Sequence, residues 1–162
     1  MTQRDLILAL ARRYDFEEGH ALQDERLALR LFDEMARLGL HRLTERRDLL
    51  SYAALLHDIG YVEGYEAHHK TAFRLISAAA IPGLSAREQT LIAHIARYHR
   101  GSIPDPAKHT AFAALPPEDR GLIEQLGAIL RFADGLDRSH TNAVQDLRCE
   151  LDGDRLIVTL LP

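Results

Sequence analysis

Nine histidines against a single cysteine in 162 residues mean that any metal chemistry here must use imidazole and carboxylate. Helical spacing sorts these histidines. At about 100° per residue His20 falls near the stripe of Leu27, Leu31 and Leu38. His57 lies in the apolar run YAALLHDI, His69 shares a face with Ala72, Phe73, Ile76 and Ala80, and His99 completes the stripe of Ile92, Ile95 and Ala96. Asp134 falls with Ile123, Leu126 and Leu130. An ionised carboxylate on an apolar helix face costs several kcal/mol unless it is paired or metal-bound.

Four histidines and an aspartate on core-facing stripes, with Asp58 beside His57, read as one buried metal site. The expected ligands are His20, His57, Asp58, His69, His99 and Asp134. Asp58 has two oxygens where imidazole has one free nitrogen, so it is the natural bridge between two ions. His57 and Asp58 would then be the catalytic pair. Mixed nitrogen and oxygen ligation suits Mn, Fe, Co, Ni or Zn, with Mg also possible, and is too nitrogen-rich for Ca. Six ligands shared by two ions leave positions open for water and substrate, as a catalytic site requires. Of the other histidines, His94 faces away from its stripe, while His41, His109 and His140 fall in loops or at helix ends. His68 adjoins His69 and is the one whose exclusion the pattern leaves open.

The elements that must position these residues are mostly helices. Periodicity predicts helices over residues 3–13, 18–38 (stopped by Gly39), 44 to about 59 with Thr44 as cap, 67–80, 86 to about 100, and 117 to about 140. Ser85 with Glu88 is a capping box, and Pro117 suits a first helical turn. The proline-rich GSIPDPAKH breaks regular structure between the last two helices. From Val144 the pattern changes to a β-hairpin turning at Asp152-Gly153. The expected fold is a mostly α single domain over residues 1–162, with a helical core at about 3–140 and a hairpin at about 143–161.

Composition narrows the function classes. A net charge of −4 argues against a nucleic-acid groove, a long polyanion track or a membrane-surface binder. No apolar run approaches the length of a membrane span, and the N-terminus lacks a basic segment before an apolar one, so a cytoplasmic protein is expected. Cys149 alone can form neither an internal disulfide nor a cysteine zinc site. A hydrophobic content of 46% is that of a chain with a core.

The order His20, His57-Asp58, two further histidines and Asp134 resembles the HD superfamily of metal-dependent phosphohydrolases. Five blocks sharpen the match: HALQDERLALRLFDEM, LLHDIG, HHKTAFRLI, IPGLSAREQTLIAHIARYHR and LRFADGLDRSH. They are similar to the C-terminal HD domain of the exopolyphosphatase/guanosine pentaphosphatase family, over about residues 14–161. The resemblance implies an HD-type helical bundle with two divalent ions that hydrolyses a nucleotide or another small phosphate ester. That family's polyphosphate site belongs to actin-like domains that precede this one, and they are not seen here, so the resemblance implies ancestry and not polyphosphate hydrolysis. Asp24 and Thr71 depart from related sequences, which often have an aliphatic residue and a histidine there.

Charge developing on a phosphoryl group needs cations, and Arg100, Arg138, Lys70 and Arg97 are the substrate-binding candidates. Lys108 and His109, on the loop after His99, are further possible contacts. Asp137 would orient Arg138 or cap its helix, and Glu63 reads as an exposed loop carboxylate. Two other readings remain open: an HD-type oxygenase with a di-iron centre, which the resemblance of the short Asp58-to-His69 interval to the phosphohydrolase branch disfavours, and a regulatory module that binds a nucleotide with little turnover. The sequence leaves the oligomeric state open, with a homodimer that covers the surface related domains bury against their neighbours as one possible assembly.

Overall fold

The computed structural model describes residues 1–162. Seven α-helices and one antiparallel hairpin make up the chain: α1 (Gln3–Ala11), α2 (Glu18–Arg37), α3 (Arg47–Leu56), α4 (His68–Ala78), α5 (Ala86–Arg97), α6 (Thr110–Ala113), α7 (Pro117–Leu136), β1 (Asp146–Asp152) and β2 (Arg155–Leu161). The mostly α class with a terminal hairpin is therefore as expected.

Helix α3 is the centre of the bundle. Every residue from Leu49 to Leu56 is buried, and α1, α2, α5 and α7 lie around it. A helix that is apolar on all sides has no solvent face to keep, which explains the unbroken run LLSYAALL. Helix α4 packs on α5 and on the short 3-10 turn Ile59–Glu63. That turn depends on Gly60, where a Cβ would lie 1.9 Å from the His68 carbonyl oxygen and 2.8 Å from the Ala72 nitrogen. Only glycine lets α4 start this close to the end of α3, and the start of α4 is where His68 lies.

Local signals account for most boundaries. The capping box at Ser85 and Glu88 is formed, and a second one, at Thr2 and Asp5, opens α1. Thr44 caps nothing: it lies within the 3-10 turn Thr44–Arg46, and α3 begins at Arg47. Helix α7 stops at Leu136, short of the expected 140, because Asp137 turns inward to His20. The four-residue α6, unexpected after the proline-rich loop, is anchored by the buried Phe112. In the hairpin Asp152 pairs with Arg155, so Gly153 and Asp154 form the turn, with Gly153 at φ +62°. The hairpin is tied to α2 through Glu34, which accepts from the Cys149 amide at 2.9 Å, while Arg37 donates to the Cys149 carbonyl at 2.8 Å.

His94 corrects the reading of α5. It was expected to face away from the core, yet it is buried against Phe73 and Phe112, with Tyr98 one turn on. Helix α5 is covered on both sides, by α3 and α7 on one and by α4 on the other, so it has two buried faces. Burial pushes the His94 imidazole down to about 4, with the nearby Arg97 acting in the same direction. The unfolded chain then binds this proton more readily than the folded one. The stabilisation is complete above about pH 6.5 and is lost as pH falls toward 4, a contribution of about 3 kcal/mol. His94→Leu is expected to remove that component: the gap in urea midpoint between pH 7 and pH 4.5 should be smaller than in the wild type. An unchanged gap would show that His94 titrates freely.

Candidate metal centre

Four imidazoles converge on four carboxylates inside the bundle: His20 of α2, His57 at the end of α3, His68 opening α4 and His99 just beyond α5, with Asp24, Asp58, Asp134 and Asp137. All eight side chains are buried. The backbone sets the ring orientations. Nδ1 of His57 donates to the Ala54 carbonyl at 2.5 Å, Nδ1 of His99 to that of Ala96 at 2.5 Å, and Nδ1 of His68 to that of Tyr65 at 3.1 Å. A carbonyl can only accept, so each ring carries a proton on Nδ1 and turns Nε2 to the interior, where it is a lone pair whenever the ring is neutral. For His20 the same service comes from Asp137, whose Oδ2 lies 2.8 Å from Nδ1 and whose Oδ1 accepts from the Asn142 amide.

The inward-facing atoms form two groups joined by Asp58. Its Oδ2 lies 3.3 Å from His57 Nε2 and 3.5 Å from His20 Nε2, and Asp134 Oδ1 closes this group at 3.1 Å from His20 Nε2. Its Oδ1 lies 3.2 Å from His68 Nε2 and 3.4 Å from His99 Nε2. The sets His20–His57–Asp58–Asp134 and Asp58–His68–His99 could each hold a metal ion, and so could His20–Asp24–Asp137.

The residues present fit a cation by their acceptors. His68 and His99 point Nε2 at each other across 3.1 Å, and His57 Nε2 meets Asp24 Oδ2 at the same distance. Neither oxygen of Asp24 nor His57 Nε2 has a hydrogen-bond partner. With the rings neutral these contacts set acceptor against acceptor, and buried acceptors left unpaired cost free energy. A cation between them removes both penalties.

Titration follows this crowding. Burial would raise Asp58, but His57, His68 and His99 hold its carboxyl far below the usual range. Asp134 is held down in the same way, against burial, by His20 and His57. Burial raises Asp24 despite the neighbouring His57. Burial would lower His20, yet Asp134, Asp24 and Asp137 bring it up to about 9.

The expected ligands His20, His57, Asp58, His99 and Asp134 are brought together, and His69 is not. Helix α4 buries the narrow row His68, Ala72 and Ile76, spaced by four, while Phe73 is half-buried and Ala80 exposed. That turns His68 inward and His69 outward against Gly101, the two ring planes lying 87° apart. Ala67, in the left-handed region at φ +53°, sets this entry. Asp24, not counted among the ligands, lies in the cluster with no exposure at all. Asp137 orients His20 rather than Arg138. Glu63 pairs with Arg74 at the surface, as its reading as a loop carboxylate implied.

A cavity of about 460 Å³ opens onto Asp58, lined by Phe16, Tyr61, Tyr65, Arg100, Arg138 and His140, with Asp15 and Glu17 at its rim. Arg100 donates to the Tyr65 hydroxyl at 3.0 Å and to Asp134 Oδ2 at 3.4 Å. His140, expected to be ordinary, stacks on His20 with ring centroids 3.7 Å apart and bonds Glu17. Of the four substrate-binding candidates, Arg100 and Arg138 reach this mouth, whereas Lys70 and Arg97 line a different cavity. No periodicity marks Tyr61, Tyr65 or Phe16, because the chain that carries them is turn and loop.

Fold and site together define a mostly helical domain with a buried histidine–aspartate cluster beneath an arginine- and tyrosine-lined cavity. The family model described as Ppx/GppA phosphatase, domain III, matches residues 4–161, and the chain belongs to that family.

Metal content separates the two adjacent histidines. His68→Ala is expected to lower metal retention through dialysis, and His69→Ala to leave it at the wild-type level, measured by elemental analysis. Asp137→Ala, which frees the His20 ring, should weaken metal affinity by about 10–100-fold. Equal retention in the two histidine variants would exclude His68 as a ligand.

Proposed function

We propose that this domain is an HD-superfamily, metal-dependent phosphohydrolase acting on a nucleotide or another small phosphate ester at a binuclear site. The observation that carries the reading is the position of Asp58: its two oxygens face two separate histidine groups, and it also lines the open cavity. His20, His57 and Asp134 would hold one ion, His68 and His99 the other, and Asp58 both. Membership of a phosphatase domain family supports phosphate chemistry over other uses of such a cluster.

Divalent metal, when bound, supplies Lewis acidity toward a phosphoryl oxygen and acidifies water. The protein's own groups do the rest. Arg100, braced by the Tyr65 hydroxyl and Asp134, presents a fixed guanidinium to the phosphoryl charge, and Arg138 lines the same cavity. Charge-assisted bonds of this kind gain strength as charge builds on the oxygens. Tyr61 and Tyr65, with ring centroids 5.6 Å apart, and Phe16 offer apolar faces for a base or sugar. Asp15 and Glu17 can accept from hydroxyl or amino groups. In the reaction, water oxygen bonds phosphorus, the ester P–O bond breaks, and the departing oxygen takes a proton. The cavity's size lies within the range of small-molecule sites.

A screen of phosphomonoesters, phosphodiesters and nucleotides with Mn, Fe, Co, Ni, Zn and Mg tests this directly. Turnover should depend on the added metal and fall to background in Asp58→Ala and His57→Ala. A substantially active Asp58→Ala protein would overturn the bridging role. Iron with oxygen-dependent consumption of substrate would replace hydrolysis by oxygenase chemistry.

No helix is long and apolar enough to cross a membrane, and a cytoplasmic, homodimeric protein completes the proposal. A groove of about 410 Å³ between α2, α7 and β2, lined by Leu31, Met35, Ile129, Phe132, Leu156 and Val158, is the surface a second copy would cover. Sedimentation is expected to give twice the chain mass, and Phe132→Lys to return it to that of the single chain. A wild-type monomer at high concentration would reject the dimer.

A further inference from the structure

A second cavity, of about 390 Å³, lies on the far side of the start of α4 from the cluster. We propose that it is a binding site for a phosphate-class oxyanion, separate from the histidine–aspartate centre and independent of its activity. Lys70 of α4, Arg97 of α5, and Lys108 from the loop bring three positive charges to it, with His69, Ser102 and His109 between them. No carboxylate lines it. In a chain of net charge −4, such a concentration of cations is local and deliberate in its geometry, and it focuses positive potential into a concave site.

The cations are held ready for a ligand. Arg97 sits over the Phe73 and Tyr98 rings, 5.4 Å from each centroid, which fixes the guanidinium without neutralising it. Lys108 has only a long contact, 3.7 Å, to Asp105. His109 Nδ1 accepts from the Asp105 amide at 3.1 Å and from the Tyr98 hydroxyl at 2.9 Å. A nitrogen that accepts from an amide N–H cannot carry the proton, so His109 bears it on Nε2. The Ser102 hydroxyl adds a neutral donor, and Gly101, at φ +72° with its carbonyl held by Arg131, lets the His69 ring approach the loop. Charged and neutral donors around a small concave volume, with Lys70 and Arg97 free of any carboxylate in its lining, match a tetrahedral oxyanion.

Such an anion could be free phosphate or the phosphate group of a larger molecule, and calorimetry on the full chain as purified distinguishes them. Inorganic phosphate is expected to bind saturably, and Lys70→Gln/Arg97→Gln to weaken it by about tenfold or more. Arg100→Gln, at the other cavity, should leave that event in place. Lys108→Gln, on an exposed loop where folding is not at stake, should weaken it by about threefold. Glycerol phosphate binding as tightly as phosphate would assign a phosphate group of a larger molecule, and binding about tenfold weaker would assign the free ion. Affinity unchanged in the double variant, or lost only in Arg100→Gln, would overturn the proposal.

Discussion

Buried charge must be balanced within the fold that buries it, and the interior of this domain is organised by that requirement. Asp24, Asp58, Asp134 and Asp137 are all sequestered from water, and Arg100 is the one guanidinium in contact with them. The remaining positive charge has to come from protons on the imidazoles or from cations among them. Where the Nε2 atoms of His68 and His99 face each other at 3.1 Å there is room for one proton or one cation between them, since both Nδ1 sites are already committed to backbone carbonyls. Imidazoles and carboxylates packed this closely can share their charge through protons or hold a metal ion among them, and the cluster balances only when they do one or the other.

The same backbone bonds do two jobs. The last carbonyls of a helix lack partners within it and need some other donor. His57 and His99 stand just beyond the final turns of α3 and α5, and each gives its Nδ1 proton to a carbonyl three residues back. At these two positions ending the helix and aiming the imidazole are one act, whereas His20, Asp24 and Asp134 project from within α2 and α7. Gly60 follows from this: α3 must end and α4 must begin in contact if Asp58 and His68 are to share a site, and a side chain at residue 60 would strike the His68 carbonyl.

Most of the fold could be read from periodicity because most of it is helix with one buried stripe. Reading failed where that assumption did. Helix α5 has two buried faces, so His94 looked outward on a wheel and is enclosed in the bundle. On α4 the ambiguity between His68 and His69 is only about 100° of rotation, and a left-handed residue at position 67, invisible to periodicity, settles it. Asp24 was passed over although it lies one turn beyond His20 on the same face of α2. An acidic residue four places after a core-facing histidine was a signal that could have been used. His140 and the tyrosines of the mouth gave none, since loops bring them in from positions that no repeat relates.

The loop after His99 also changes how the basic residues are to be understood. Taken as one set, Lys70, Arg97, Arg100 and Arg138 would be four hands on one phosphate. The structure divides them at the peptide between Arg100 and Gly101: Arg100 turns to Asp134 and Tyr65, while the residues that follow turn to Lys70 and Arg97. The same division runs between His68 and His69 on α4. Two consecutive pairs of residues thus form the wall between a cavity with carboxylates at its floor and one with none. Cations beside carboxylates are partly neutralised and serve to orient, whereas cations without them attract. The hollow behind the histidine–aspartate cluster, with Lys70, Arg97 and Lys108 in its lining, is thus electrostatically distinct from the cavity that Asp58 lines, and the wall between them is built from the residues that position the cluster.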